Sequence, residues 1–89
     1  MKVTAAGDTL TVDIHGMRER DAKFRLEALI ENGSANVKRL VVIHGFNGGQ
    51  TLRTLVRNGL ESPKIKEICP GENAGQTIIL LHPTGKNRR

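Results

Sequence analysis

Apolar and polar residues alternate strictly along Thr9-Leu10-Thr11-Val12-Asp13-Ile14, with Leu10, Val12 and Ile14 on one side and Thr9, Thr11 and Asp13 on the other. That period of two predicts a strand buried on one face. From Glu19 to Asn32 the period changes, because Ala22, Leu26, Leu29 and Ile30 fall on one helical stripe and Asn32-Gly33 offers a left-handed stop. Arg18 stands where a Ser or Thr cap is preferred, so the first turn of this helix is expected to fray. Leu40-Val41-Val42-Ile43 is a short continuous apolar run rich in β-branched residues, the pattern of a central strand covered on both faces. Leu52, Leu55, Val56 and Leu60 mark a second helical stripe that ends near Asn58-Gly59 and before Pro63. Two further strands, Ile65 to Cys69 and Thr77 to Leu81, flank a turn from Pro70 to Gly75.

The resulting order, β-α-β-α-β-β, predicts an α/β fold of the two-layer α+β sandwich kind, with a four-stranded mixed sheet and two helices. A chain of 89 residues forms one domain. Residues 9–82 make up that domain, residues 1–8 are an N-terminal arm, and residues 83–89 are a basic tail expected to be disordered. The crossover through the first helix makes the first two strands parallel neighbours, so both end at the same edge of the sheet.

That edge collects the candidate chemistry. Asp13 projects away from the face that buries Ile14, and continued alternation places His15 on the same surface. Gly16 follows, letting the chain turn sharply and a ligand approach the backbone. The second strand ends in His44-Gly45-Phe46-Asn47-Gly48-Gly49, a glycine-rich run whose amides can converge on an anion at the start of a helix. Gly16, Gly45, Asn47, Gly48 and Gly49 are thus candidate phosphate-binding positions, with Arg53 one turn into the helix and Arg57 on the same helical face. Phe46 either stacks on a base or packs beneath the loop. The plainer reading is that Asp13 and His15 cap a strand and hold a turn. His82, before Pro83, reads as an exposed strand terminator, and Cys69 as a small buried residue.

Charge narrows the partners. Fourteen Lys and Arg against nine Asp and Glu give a net charge of +5 and a pI near 10.0. Such a balance favours a polyanion, nucleic acid first, although a basic soluble surface accounts for the charge equally well. Part of the excess lies in Lys86, Arg88 and Arg89. A single cysteine rules out an intramolecular disulfide and fits a reducing cytoplasm. No apolar run approaches the roughly 20 residues of a membrane-spanning helix, and Met1 to Ala6 does not resemble a secretory signal. A soluble, unprocessed, free-standing protein is expected.

Asp13-Ile14-His15-Gly16-Met17 resembles the Asp-Leu-His-Gly-Leu opening of Smr (small MutS-related) domains. Val42-Ile43-His44-Gly45, followed by glycines and Thr51-Leu52-Arg53, is similar to the family's His-Gly-x-Gly motif. Asn73 to Leu80 resembles its closing Gly-x-Thr strand. The loop after His44 is longer than the family pattern, with Asn47 where the second motif glycine falls. The resemblance spans about residues 9 to 82. It implies a fold similar to the C-terminal domain of translation initiation factor three, and nicking or cleavage of DNA or RNA. It assigns active-site roles to Asp13, His15 and His44, and a phosphate contact to Arg53.

Chemically, His15 would act as general acid or base supported by Asp13, with loop amides, His44 and Arg53 stabilising phosphoryl charge. RNA supplies its own 2′-OH nucleophile. DNA requires an activated water, for which a divalent cation such as Mg²⁺ bound at Asp13 is a candidate cofactor. One carboxylate and two histidines make a poor structural metal site, so no metal-binding residues are assigned. Two functions fit: an endonuclease, or a non-catalytic module that holds nucleic acid or ribosomal RNA through the same loops.

Overall fold

Strands β1 (Lys2–Ala6), β2 (Thr9–Asp13), β3 (Arg39–Ile43), β4 (Ile65–Pro70) and β5 (Gln76–Leu81) form one sheet in the spatial order β1-β2-β3-β5-β4 in the computed structural model. The structure describes residues 1–32, 37–45 and 50–82, with Gln50 described by its backbone alone. Helix α1 (Glu19–Asn32) links β2 to β3, which pair in parallel from Thr9↔Arg39 to Asp13↔Ile43. Helix α2 (Gln50–Thr54) runs directly into a π-helical turn, Leu55–Gly59, and the remaining strand pairings are antiparallel. The α+β sandwich expected from the pattern is therefore present. Helix α1 ends at Asn32 as expected, whereas Gly33 of the expected stop, the loop residues Phe46 to Gly49 and the basic tail from Pro83 lie outside the described residues.

The sheet has five strands where four were expected, because part of the N-terminal arm is the edge strand β1. A two-residue hairpin makes it so: Ala6 pairs with Thr9, and φ is positive at Gly7 (62°) and at no non-glycine residue described. Glycine at the first central position with an ordinary residue at the second is the arrangement that matches strand twist in such a hairpin. The strand itself is exposed along its whole length, so backbone pairing with β2 holds it in place rather than burial.

The core lies between the sheet and the helices. Val12 and Ile14 from the β2 end, Leu40 and Val42 from β3 and Ile79 from β5 meet Ala22, Leu26 and Ile30 of α1. Leu52, Leu55 and Val56 close it from α2 and the π turn. The apolar run of β3 was expected to be covered on both faces. Instead Leu40 and Val42 are buried while Val41 and Ile43 are half-buried, since both helices contribute their stripes to a single face. On the opposite face Val41 is flanked by Thr11 and Ile78, and these neighbours shield one another. Cys69, expected in the core, is half-buried on that open face opposite Ile78. Of the two phenylalanines, Phe24 stays outside the core, 74% exposed on α1.

Among the described residues no side-chain hydrogen bond caps the start of helix α1, in line with Arg18 at its cap position. The Arg18 carbonyl accepts the first helical bond from Ala22 N–H at 2.9 Å, while Glu19 and Asp21 place negative charge at the positive end of the helix dipole. Farther along, Lys23 Nζ donates to Glu27 Oε2 at 2.7 Å and to the Gly59 carbonyl at 3.1 Å. Glu27 also accepts the Glu61 N–H at 2.7 Å. These bonds anchor the segment after the π turn to α1, and the Lys23 ammonium holds the Glu27 carboxyl below its usual range.

Leu26 is fully buried and Phe24 is not, so their truncations should separate. Leu26→Ala is expected to cost about 2–5 kcal/mol in urea unfolding. Phe24→Ala should stay within about 0.5 kcal/mol of wild type.

Candidate active site

The parallel pairing continues past the end of β2, with Ile14 N–H donating to the Ile43 carbonyl at 2.9 Å. There β2 stops: Met17 N–H bonds back to the Ile14 carbonyl at 3.0 Å, closing a four-residue turn with Gly16 at φ +80°. A turn with positive φ at its third residue calls for glycine. The turn, rather than continued extension, directs His15. Its Nδ1 meets Asp13 Oδ1 at 2.5 Å, and its backbone N–H donates to the same oxygen at 3.1 Å.

Asp13 and His15 thus form an aspartate–histidine pair at the surface, with side chains 30% and 67% exposed. The hydrogen bond from His15 holds the Asp13 carboxyl below its ordinary range, so it is ionised at neutral pH. An ionised carboxylate at Nδ1 orients the ring and favours a proton there, leaving Nε2 as the basic atom. His15 Nε2 makes no hydrogen bond to the described residues. Lys2 was not foreseen here. It stands directly opposite Asp13 in the antiparallel ladder and its positive charge adds to the depression of the Asp13 pKa.

The glycine-rich loop begins beside this pair, as the parallel topology requires. Gly45 has φ +90°, and a Cβ added there would lie 3.3 Å from His15 Cβ. Gly45 N–H does not face open space, however, because it donates to the Gly75 carbonyl at 3.1 Å, alongside His44 N–H at 2.9 Å. The anion cradle expected from the glycines therefore lacks this amide. A Cβ added at Gly16 would meet none of the described residues beyond its chain neighbours within 4 Å, which leaves its backbone approachable on that side.

His44 is placed apart from the Asp13–His15 pair. It continues the inward alternation of Leu40 and Val42, is 1% exposed, and is separated by the sheet from the face that carries Asp13. Its Nε2 lies 2.9 Å from Thr77 Oγ1, and its Nδ1 lies 3.4 Å from its neighbour's carbonyl, Gly45 O. Burial, reinforced by the positive charges of Arg57 and Arg53, pushes the His44 pKa down and keeps the ring neutral. Arg57, a candidate nucleic-acid contact, turns its Nε–H inward to Thr77 Oγ1 at 3.1 Å. Arg53 is half-buried on α2. Thr77 and Gly75 carried no site assignment. Only the polar residue within the inward series Thr77, Ile79, Leu81 hinted at the first. His82 is exposed as expected.

Among the described residues no three His, Cys, Asp or Glu side chains are grouped to hold a metal ion. Asp13 is engaged by His15, and His44 lies on the other side of the sheet, so these donors do not fit a shared cation. Also among the described residues, no helix is long and apolar enough to cross a membrane.

A mixed sheet with helices on one face, and an aspartate–histidine pair at the edge where the parallel strands end, defines an α+β domain. Residues 12–82 match the Smr domain family model, a span that takes in Asp13, His15, Gly45 and Thr77, and the chain belongs to that family. No curated protein and no solved structure matches it.

A neutral buried His44 has a consequence for stability. The unfolded chain protonates this ring as pH falls through about 6.5, whereas the folded chain resists to lower pH, so the unfolded state binds more protons and stability falls with pH. The urea midpoint should therefore drop more steeply between pH 7.5 and about 5.5 in wild type than in His44→Gln. Equal slopes would mean that His44 is not held neutral.

Proposed function

We propose that this domain binds nucleic acid and cleaves RNA, with His15 as the proton-transfer group and Asp13 as its orienting carboxylate. The observation that carries the reading is the 2.5 Å Asp13–His15 bond at an exposed sheet edge, with Nε2 turned outward. Histidine is the side chain best matched to proton transfer near neutral pH, and a fixed carboxylate sets its tautomer. RNA suits a site built on one Asp–His pair, since its own 2′-oxygen is the nucleophile and the imidazole can take that proton. His15 Nε2 takes the 2′-OH proton as the 2′-O–P bond forms. The P–O5′ bond breaks, and the departing oxygen receives the proton from the imidazolium. The products are a 2′,3′-cyclic phosphate and a free 5′-OH, with no water consumed.

Positive charge near the pair supports phosphate binding. Lys2 reaches the same face of the sheet as Asp13 through the β1–β2 register, and the chain as a whole carries +5. Arg53 and the backbone at Gly16 are further candidate phosphate contacts, whereas the buried His44 and the inward-turned Arg57 are not assigned to the substrate.

Cleavage of structured RNA in the presence of a chelator, with supercoiled plasmid in parallel, tests the reading. Wild type should release cyclic-phosphate ends. His15→Ala should lose about 10²–10⁴-fold in rate, Asp13→Asn should also be impaired, and His82→Ala should match wild type. Lys2→Ala should retain cleavage chemistry while flattening the salt dependence of RNA affinity by about one unit of slope. Binding without cleavage in wild type would contradict the nuclease reading and leave a nucleic-acid-holding module. Nicking of plasmid that requires added Mg²⁺ would contradict the RNA assignment.

A further inference from the structure

His44 and Thr77 are the two buried polar side chains among the described residues, and they bond to each other. Buried polar groups are tolerated when every donor meets an acceptor, which constrains where the protons sit. Arg57 Nε–H can only donate, and it takes one lone pair of Thr77 Oγ1 at 3.1 Å. The Gly45 carbonyl can only accept, so His44 Nδ1, 3.4 Å from it, carries the ring proton. The His44 Nε2 lone pair then faces Thr77 Oγ1 at 2.9 Å, and the Thr77 hydroxyl donates to it. The opposite tautomer fails this test. It would send two donors into Thr77 Oγ1, leave the hydroxyl proton without an acceptor among the described residues, and set the Nδ1 lone pair against a carbonyl oxygen.

The bonded ring belongs to the strand end that supports the active pair. His44 N–H and Gly45 N–H both donate to the Gly75 carbonyl, at 2.9 and 3.1 Å, so the β3 end is pinned to the start of β5 through backbone and side chain together. Gly45, held at φ +90°, then packs against His15 so closely that a Cβ in its place would approach His15 Cβ to 3.3 Å. Supporting groups of this kind set the orientation of a reacting side chain without touching the substrate.

We propose that Thr77 is a positioning residue: it locks His44 as the neutral Nδ1–H tautomer and thereby holds the Gly45 backbone against His15. The proposal rests on the reading of His15 as the reacting group, but its test does not depend on turnover. Long-range ¹H–¹⁵N spectra of the full chain report which ring nitrogen carries the proton. In wild type, His44 should show a protonated Nδ1 and an unprotonated Nε2. Thr77→Ser should retain this signature. Thr77→Val should lose it, with displacement of the Gly45 and His15 backbone amide resonances.

A wild-type His44 protonated at Nε2 overturns the proposal, as does a Thr77→Val protein unchanged at His44, Gly45 and His15. If Thr77→Val does not fold, wild type and Thr77→Ser still decide, because an Nε2-protonated ring in either one overturns the lock. A protein that shows the Nδ1–H signature yet cleaves no RNA would contradict the nuclease reading and leave the lock standing.

Discussion

The parallel ladder between β2 and β3 is the constraint from which the site follows. Five register pairs, from Thr9↔Arg39 to Asp13↔Ile43, fix both strands to end at one edge, and the Ile14–Ile43 hydrogen bond carries the pairing into the turn that holds His15. Had the strands been antiparallel, His15 and Gly45 would lie at opposite ends of the sheet. Because they are parallel, a glycine at φ +90° stands against His15 at one edge of the sheet. Helix α1 makes this possible by carrying the chain back along the sheet, and its burial of Ala22, Leu26 and Ile30 against Val12 and Val42 holds the crossover in place.

Strand alternation then divides the polar residues at that edge between two tasks. Asp13 lies on the open face, where the turn at Gly16 brings His15 onto it. His44 lies on the helix face, where it is enclosed and must be satisfied from within. The exposed pair leaves His15 Nε2 without a partner among the described residues. The His44–Thr77–Arg57 cluster is bonded within itself, and its contribution is to the rigidity of the backbone beside the pair. The π turn bears on the second task, since Arg57 lies within it and from there reaches Thr77. Departures from regular helical winding of this sort recur where a side chain must be aimed.

Much of this was legible in the sequence. The alternation from Thr9 to Ile14, the helical stripe from Ala22 to Ile30 and the apolar run at Leu40 to Ile43 each correspond to an element, and the βαβ order implies the shared edge. β1 was not recognised because Lys2-Val3-Thr4-Ala5-Ala6 has no buried side to announce it. Its signal was Gly7-Asp8, a two-residue hairpin connection. The inward aim of His44 is also implicit in the series Leu40, Val42, His44, although the glycines that follow it are the pattern of a surface loop. Thr77 is another matter. Its partner is 33 residues away along the chain, and only the placement of β5 beside β3 brings the two together.

In the proposed reaction His15 Nε2 is the atom that meets the substrate, and a crystal structure of the chain with an RNA whose scissile 2′-OH is methylated would show whether it does. The 2′-oxygen is predicted to lie within about 2.6–3.2 Å of His15 Nε2, with the scissile phosphate at the rim formed by Gly16 and Gly45. RNA bound at a distance from the Asp13–His15 pair, or His15 turned away from Asp13 in the complex, would contradict it.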